Sequence, residues 1–253
     1  MTRLFFMFPA ISGFINMISC LFAFLIMAAG LPLKAQDPVA IDDYLKKAGY
    51  YADIYSGKTE LPYSPRQYDN FPYYNKSDFT EGEIIYKKNN YSKQQIRLDL
   101  YQEQLVVLVP EKQYRVIVNP EGVERVSLFG KTFVWQAFPP KGKLKTGYYL
   151  MLFESDDLKL FYKESFVPEK TEKYDSFSDR RRVYISFDCK KQYYIWYNNQ
   201  YYPAKNKSSF TKLFPQYKKQ IDGFVKENKL DFRDNQSNSL TLLIRYCKEL
   251  TAN

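Results

Sequence analysis

Four aromatic side chains near residue 200 could together form a surface on which a ligand stacks. They are Tyr194, Trp196, Tyr201 and Tyr202, and the surrounding stretch, residues 182–205, holds six tyrosines, one tryptophan and one phenylalanine. Such rings offer large apolar faces that fit a glycan or a lipid. Tyrosine and tryptophan are equally typical of half-buried strands, where each ring pair across strands contributes about 0.2–1 kcal/mol. We predict that most of these rings pack within a sheet, and we keep ligand stacking by these four as the functional alternative.

Groups that usually carry catalysis are scarce. The chain has no histidine, which removes the commonest general base and the commonest metal ligand. The acidic pairs Asp42-Asp43 and Asp156-Asp157 lack the spacing of metal ligands, and residues 231–238 lack the alternating acids of a calcium loop. No nucleophile elbow, phosphate loop or dinucleotide fingerprint occurs. We therefore predict no metal, no cofactor and no enzymatic activity, with a hydrolase that uses a carboxylate pair as an alternative.

Two cysteines follow the N-terminal region, Cys189 and Cys247. In an exported protein they are candidates for a disulfide. Both have apolar neighbours, and free cysteine buries readily, so two buried thiols are an equal alternative.

The formal net charge of +9 suggests an anionic partner. An acidic glycan, a lipid surface or an envelope protein fits this charge. Nucleic acid is disfavoured, because the protein is predicted to be exported and its lysines are spread over turns and strand edges, where they also block unwanted strand pairing.

The first 35 residues resemble a secretory signal. Arg3 precedes an apolar run over residues 4–33, and Leu33 and Ala35 stand at the −3 and −1 positions of a cleavage site before Gln36. Because about 20 apolar residues can span a bilayer, an uncleaved anchor is the alternative. We predict a periplasmic or extracellular protein that contacts a membrane only through residues 1–35.

From residue 81 to residue 205 apolar side chains alternate with polar ones. One predicted strand places Ile96, Leu98 and Leu100 on one face, while Arg97 and Asp99 lie on the other face. Such runs recur at hairpin spacing, with turn residues between them. Residues 139–143 and 167–180 are predicted as longer polar loops. The pattern predicts a mainly β fold, an antiparallel meander that forms an open curved sheet or is barrel-like.

Helical spacing flanks this β domain on both sides. Residues 36–80 are predicted to form a short helix, with Ile41, Leu45 and Ala48 on one face, and then an irregular proline-containing segment. Residues 206–253 are predicted to form two amphipathic α-helices that pack on the sheet. Their apolar stripes are Phe214, Tyr217, Ile221 and Phe224 in the first, and Leu240, Leu243, Ile244, Cys247 and Leu250 in the second.

Two stretches resemble a group of uncharacterised exported β-rich proteins of Bacteroidetes. The first is "EGEIIYKKNNYSKQQIRLDLYQEQLVVLVP", and the second is "FPQYKKQIDGFVKENKLDF". The shared positions are Gly82, Tyr86, Tyr91, Asp99, Tyr101, Leu105, Val106, Val107 and Pro110, then Phe214, Pro215, Tyr217, Lys218, Leu230 and Phe232. Leu98 departs from the tyrosine more frequent in the group. The resemblance implies an envelope or extracellular setting and transfers no activity.

These observations together predict an exported, non-enzymatic protein that binds or scaffolds in the cell envelope. The first alternative is a carrier that holds a glycan or lipid on an aromatic sheet face. A carrier should show a concavity lined by exposed rings, whereas a hydrolase should place two carboxylates about 5–10 Å apart across a cleft.

Overall fold

A computed structural model describes residues 38–110, 112–139, 144–175 and 179–252, so the predicted signal at 1–35 lies outside the described residues. The chain builds one 11-stranded sheet in which every adjacent pair of strands is antiparallel. The strands are β1 (Lys58–Thr59), β2 (Thr80–Tyr86), β3 (Asn89–Asp99), β4 (Gln104–Leu108), β5 (Arg115–Ile117), β6 (Val123–Leu128), β7 (Lys131–Gln136), β8 (Gly147–Glu154), β9 (Leu158–Asp175), β10 (Arg180–Tyr197) and β11 (Gln200–Pro203).

The sheet is open, and its strand order is β1-β5-β4-β3-β2-β6-β7-β8-β9-β10-β11. Among the described residues β1 and β11 are its edges and do not pair with each other. The predicted mainly β, antiparallel fold is confirmed, in its open form. Two connections depart from a meander. Residues 60–79 join β1 to β2 although β5, β4 and β3 lie between them, and the short segment 118–122 joins β5 to β6 although β4, β3 and β2 lie between them.

Tight turns between strands follow from local sequence. Asn198 and Asn199 link β10 to β11 with φ angles of 49° and 59°, a backbone region that asparagine tolerates well. Lys87 and Lys88 make the equivalent turn between β2 and β3, with φ angles of 49° and 66°. Both are two-residue hairpins, whose twist matches that of the flanking strands.

One face of the sheet, the covered face, carries most of the core. Directly opposed residues on successive strands form a continuous row that includes Val126, Phe133, Leu150, Tyr162 and Tyr193. An N-terminal helix, α1 (Pro38–Ala48), packs Ile41 into the β2–β8 part of this core. The predicted N-terminal helix is confirmed. The opposite side of the sheet is called the open face below.

Three helices follow the sheet: α2 (Lys207–Leu213), α3 (Lys218–Glu227) and α4 (Gln236–Ala252). The two longer ones are the predicted C-terminal helices. They cover Leu160, Tyr193 and Ile195 with apolar stripes that include Ile221 and Leu243. Among the described residues no helix combines the length and apolar character needed to cross a bilayer.

The β9–β10 hairpin is much longer than the strands beside it. The prediction of a loop over residues 167–180 is wrong, because both strands continue as far as Asp175 and Arg180. This extension, called the arm, comprises residues 167–175 and 180–188. Its outer half has charged and polar residues on both faces, so the apolar alternation that marks a half-buried strand is missing. Main-chain pairing alone defines these strands.

The irregular segment predicted before the sheet ties the arm to the body. Ile185 exchanges backbone hydrogen bonds with Gln67 and Asp69, each 2.9 Å long. At its other end the segment bonds β3, since Tyr74 donates its N–H to the carbonyl of Leu98 at 2.8 Å. The segment is thus a strap between two distant parts of the sheet.

Candidate functional site

A shallow groove of about 470 Å³ lies on the open face of β6–β11. Its axis is a row of four directly opposed residues on adjacent strands: Glu154, Lys159, Trp196 and Tyr201. Strand alternation places all four side chains on one face of the sheet. Because they are direct partners on adjacent strands, they form a row that runs across the strands. This row and the side chains around it are called the aromatic groove. Its walls also include Arg125, Val134, Gln136, Met151 and Phe161.

Three charges occupy one end of the aromatic groove. Glu154 accepts hydrogen bonds from Arg125 at 2.7 Å and from Lys159 at 3.1 Å. Burial opposes ionisation of Glu154, but these two cationic donors outweigh it and lower the pKa of its carboxyl. Glu154 is therefore an anion at neutral pH, suited to accepting hydrogen bonds from a ligand and not to donating a proton.

A cluster of packed rings on the same face adjoins the groove. Tyr194 is buried and lies opposite Phe161, and its ring centroid is 6.2 Å from that of Tyr149. Burial raises the pKa of Tyr194 and of Tyr201, which keeps both phenols neutral. Tyr201 donates its hydroxyl to Gln136 at 3.0 Å, so its ring is held in a fixed position.

The structure brings two of the four predicted stacking residues together at the groove surface. Trp196 and Tyr201 lie side by side and partly exposed, while Tyr194, two residues before Trp196 on the same face, is buried as a packing residue. Tyr202 belongs to the opposite face, where it bonds Gln200 and lines a separate concavity beside α2. Alternation along β11 separates Tyr202 from Tyr201, because neighbouring residues of a strand point to opposite faces.

Sequence analysis missed the charged members of the site. Arg125, Glu154 and Lys159 come from three different strands, and no local motif connects them. The only available signal is that Arg125 and Lys159 alternate with core-facing Val126 and Leu160, which places both charges on the open face of their strands.

No family model, curated protein or solved structure matched this chain. Among the described residues no group of three or more cysteine, aspartate or glutamate side chains is placed to hold a metal ion.

The candidate disulfide between Cys189 and Cys247 is not formed, since both are free thiols in the structure. Cys189 is exposed on β10, whereas Cys247 is a residue of α4 and is buried between that helix and the sheet. Burial raises the pKa of the Cys247 thiol to about 12. The sequence could not exclude a bridge, because it does not reveal the distance between Cys189 on β10 and Cys247 on α4.

A second group of polar side chains lies buried where the strap crosses β3. Arg97 forms an ion pair with Glu60, and its guanidinium carbon sits 4.2 Å from the ring centre of Tyr73. Asp99 accepts the hydroxyl of Tyr63 at 2.8 Å and caps the following turn through two backbone N–H groups. Burial raises the pKa of Asp99.

A third polar group, the second buried ion pair, joins the β3–β4 turn to β9. Lys163 contacts Glu103 and donates to the carbonyl of Tyr148 at 2.9 Å, and Glu103 accepts the Tyr148 N–H at 2.8 Å. Burial raises the pKa of Glu103 and lowers that of Lys163. Carboxylates with raised pKa values are candidate catalytic groups. Here, however, the carboxylates of Asp99 and Glu103 already accept hydrogen bonds from other residues of the fold. Neither residue lines the aromatic groove.

Proposed function

We propose that the protein is an exported, non-enzymatic binding protein of the cell envelope and that its aromatic groove holds a carbohydrate. The observation that carries this proposal is the pairing of Trp196 with Tyr201 on the open face, next to the Arg125–Glu154–Lys159 charges. Export rests on the N-terminal pattern of residues 1–35 and on the resemblance to exported proteins of Bacteroidetes.

A sugar ring matches the chemistry of this groove. Its C–H face packs against flat rings, whose electron-rich faces attract the weakly positive hydrogens. Its hydroxyls need donors and acceptors at the edge of those rings, and Arg125, Gln136 and Glu154 supply both kinds within the groove.

A lipid tail is a poorer match. Sites for small apolar ligands are usually concave and mostly apolar, and they bury most of the ligand surface. The aromatic groove is shallow, open along one side and lined by Arg125, Glu154 and Lys159. An acyl chain placed there would bring charged groups out of water without replacing their hydrogen bonds, which is unfavourable.

A catalytic role is less well supported by the same geometry. Glu154 is held as an anion between two cations, so it is not suited to the general-acid step of glycoside hydrolysis. Glu124 also lines the groove, but its carboxylate accepts the backbone N–H of Lys88 at 2.8 Å.

The two tryptophans allow a direct test. Trp135 borders the groove, but its ring packs against Tyr148 in the core of the covered face, whereas Trp196 belongs to the central row of the groove. In a Trp135→Phe variant, tryptophan fluorescence therefore reports on Trp196 alone. We expect titration with soluble neutral and acidic oligosaccharides to change this emission in a saturable way for at least one class.

The matched control is Trp196→Ala. Because this variant lacks the fluorescent tryptophan, its binding is measured by calorimetry. We expect binding to be lost while the far-UV circular dichroism spectrum is retained, because the ring is partly exposed and the buried cluster beside it remains. Absence of binding across the panel, or equal affinity in Trp196→Ala, contradicts the proposal.

A further inference from the structure

The outer edge of β9 along the arm is unpaired among the described residues. β8 pairs with β9 only as far as Tyr162, and no other described strand bonds that edge. The side chains of residues 167–174 are all exposed. An exposed edge with unpaired backbone groups is a template for another strand.

Hydrogen bonding on the far side of β10 shows which residues of β9 point outward. Ile185 donates its N–H to Gln67 and accepts the N–H of Asp69, so both of its backbone groups point away from β9. Opposed residues of an antiparallel pair exchange both bonds or neither. Lys170 lies opposite Ile185, and its N–H and C=O therefore face the outer edge.

The next pair agrees with this assignment. Phe187 donates its N–H to the Asn70 side chain at 2.7 Å and accepts from it at 3.0 Å, so Pro168, opposite Phe187, also faces outward. A proline within a sheet occupies the position where its missing N–H faces a free edge. By alternation Glu172 and Tyr174 face outward as well.

Charges along this edge complement themselves. Residues 169–173 read Glu-Lys-Thr-Glu-Lys. When a second copy is laid antiparallel with the two-fold axis at Thr171, Glu169 faces Lys173 and Lys170 faces Glu172 of the other copy. Thr171 faces its own counterpart, and all four charged residues of each strand face an opposite charge. Opposite charges directly across strands stabilise pairing, and like charges oppose it.

Neighbouring registers lose this complementarity. Outward-facing residues must oppose outward-facing residues, so the alternatives nearest to Thr171 centre the axis on Lys170 or on Glu172. The first places Lys170 against its own copy, and the second places Glu172 against its own copy. Each puts like charges in contact on the axis, so one register is favoured over its neighbours.

We propose that the arm is a dimerisation surface, at which β9 pairs antiparallel with β9 of a second copy about Thr171. The pairing uses an isologous two-fold contact and forms about six backbone hydrogen bonds, since Pro168 supplies an acceptor but no donor. Thr171 lies nine residues beyond Tyr162, where β8 stops pairing, and this separation of about 30 Å keeps the two bodies apart.

Existing contacts of these side chains are compatible with the pairing. Lys173 bonds Asp69 at 2.6 Å, and Glu172 lies 3.9 Å from Arg181, all at exposed positions. Exposed ion pairs contribute little energy, so they can be shared or exchanged. The backbone ladder supplies the attraction, and the charges select the register.

A charge swap tests the proposal on the full chain, purified as cells produce it. We expect sedimentation equilibrium to show a dimer that dissociates on dilution between about 100 and about 1 μM. K170E places like charges opposite each other twice and should raise the dissociation constant about tenfold or more. E172K should do the same, and K170E/E172K should restore the wild-type value. A monomer at all concentrations, or a K170E variant that dimerises normally, overturns the proposal.

Cross-linking tests the register independently. In a Cys189→Ser background, T171C places two thiols across the axis, at the spacing of opposed residues, and oxidation should link the copies. The matched control is E169C, which has the same exposure and side of the strand but faces Lys173 of the second copy. Equal cross-linking of both variants, or none by T171C, rules out this register.

Discussion

Lys159 lies directly opposite Trp196 on the open face, and its ammonium nitrogen is 5.5 Å from the centre of the indole ring. The same nitrogen bonds Glu154 at 3.1 Å. The lysine therefore links the charged end of the aromatic groove to its aromatic end. A ligand that stacks on Trp196 must share the ring with this cation.

Replacing Lys159 by methionine should separate binding from folding. The change removes the ammonium group and keeps a similar apolar stem. We expect the affinity for an oligosaccharide to fall about 5- to 10-fold, with stability altered by less than about 1 kcal/mol because the ion pair is partly exposed. Calorimetric titration and urea unfolding measure the two effects. A stability loss as large as the affinity loss would show that Lys159 is a structural residue.

Glu103→Gln should destabilise the fold strongly. It leaves buried Lys163 without its charge partner and points an amide donor at either that lysine or the Tyr148 N–H. Breaking one partner of a buried pair is expected to lower the free energy of unfolding by about 3 kcal/mol. The matched control is Glu154→Gln, whose ion pairs are partly exposed and which should lose less than about 1 kcal/mol. Equal losses in urea unfolding would contradict this prediction.

Gly147→Ala should also destabilise, for a steric reason. A Cβ at this position would lie 2.2 Å from the Glu103 carboxylate and 2.8 Å from the Lys163 nitrogen, and φ is +152°. The control is Gly223→Ala on α3, where the nearest atom is 4.0 Å away. Since alanine favours a helix over glycine, that variant should gain about 0.5–1 kcal/mol. The midpoints of thermal and urea unfolding should therefore fall for Gly147→Ala and rise for Gly223→Ala.

The contact between α4 and the β8–β9 turn should depend on pH. A hydrogen bond from Lys248 foremost lowers the pKa of Asp157, which lies 2.6 Å from that lysine. Because the folded pKa is below the unfolded one, the stabilisation is complete above the unfolded pKa. It is lost as pH falls through the folded pKa. Both groups are exposed, so the effect is a few tenths of a kcal/mol.

Asp157→Asn isolates this contribution. The difference in urea midpoint between wild type and variant should be present at pH 7 and absent once Asp157 is protonated. A difference that persists unchanged at low pH would assign the contact to packing and not to charge.

The two thiols should differ in reactivity. Burial raises the pKa of both thiols, that of Cys247 to about 12, and the thiolate is the reactive form. Cys189 is exposed to a reagent, whereas Cys247 is buried. Brief treatment with a maleimide at neutral pH should label Cys189 in the native protein. Cys247 should react only after unfolding, as peptide mapping by mass spectrometry would show. Labelling of Cys247 in the native state would mean that α4 detaches readily from the sheet.

Most of the fold could be predicted from local pattern. Apolar residues alternate with polar ones around Leu98, and they recur at helical spacing around Ile221 and Leu243. Both patterns arise because one face of the strand or helix is buried, and they can be read from the sequence. The outer part of the arm could not be predicted, because both of its faces are exposed and carry polar residues. Its contact with the strap depends on residues distant in sequence, such as Asn70 and Phe187.

The candidate site divides in the same way. The ring-rich segment pointed to Trp196 and Tyr201, since aromatic residues at alternate positions have to lie on a sheet face. Nothing local connected them to Arg125 and Glu154, which reach the aromatic groove only because β6, β8, β10 and β11 lie across one another in a single sheet.

By itself the sequence determined most of the strands and helices, though not the outer arm, because the repeat of burial along the chain leaves a periodic pattern. Only the tertiary structure decided that the sheet stays open, that Cys189 and Cys247 remain apart, and which rings face solvent. Those outcomes depend on strand order and on which face the helices cover. Such contacts join residues far apart in sequence, and a periodic pattern carries no information about that distance.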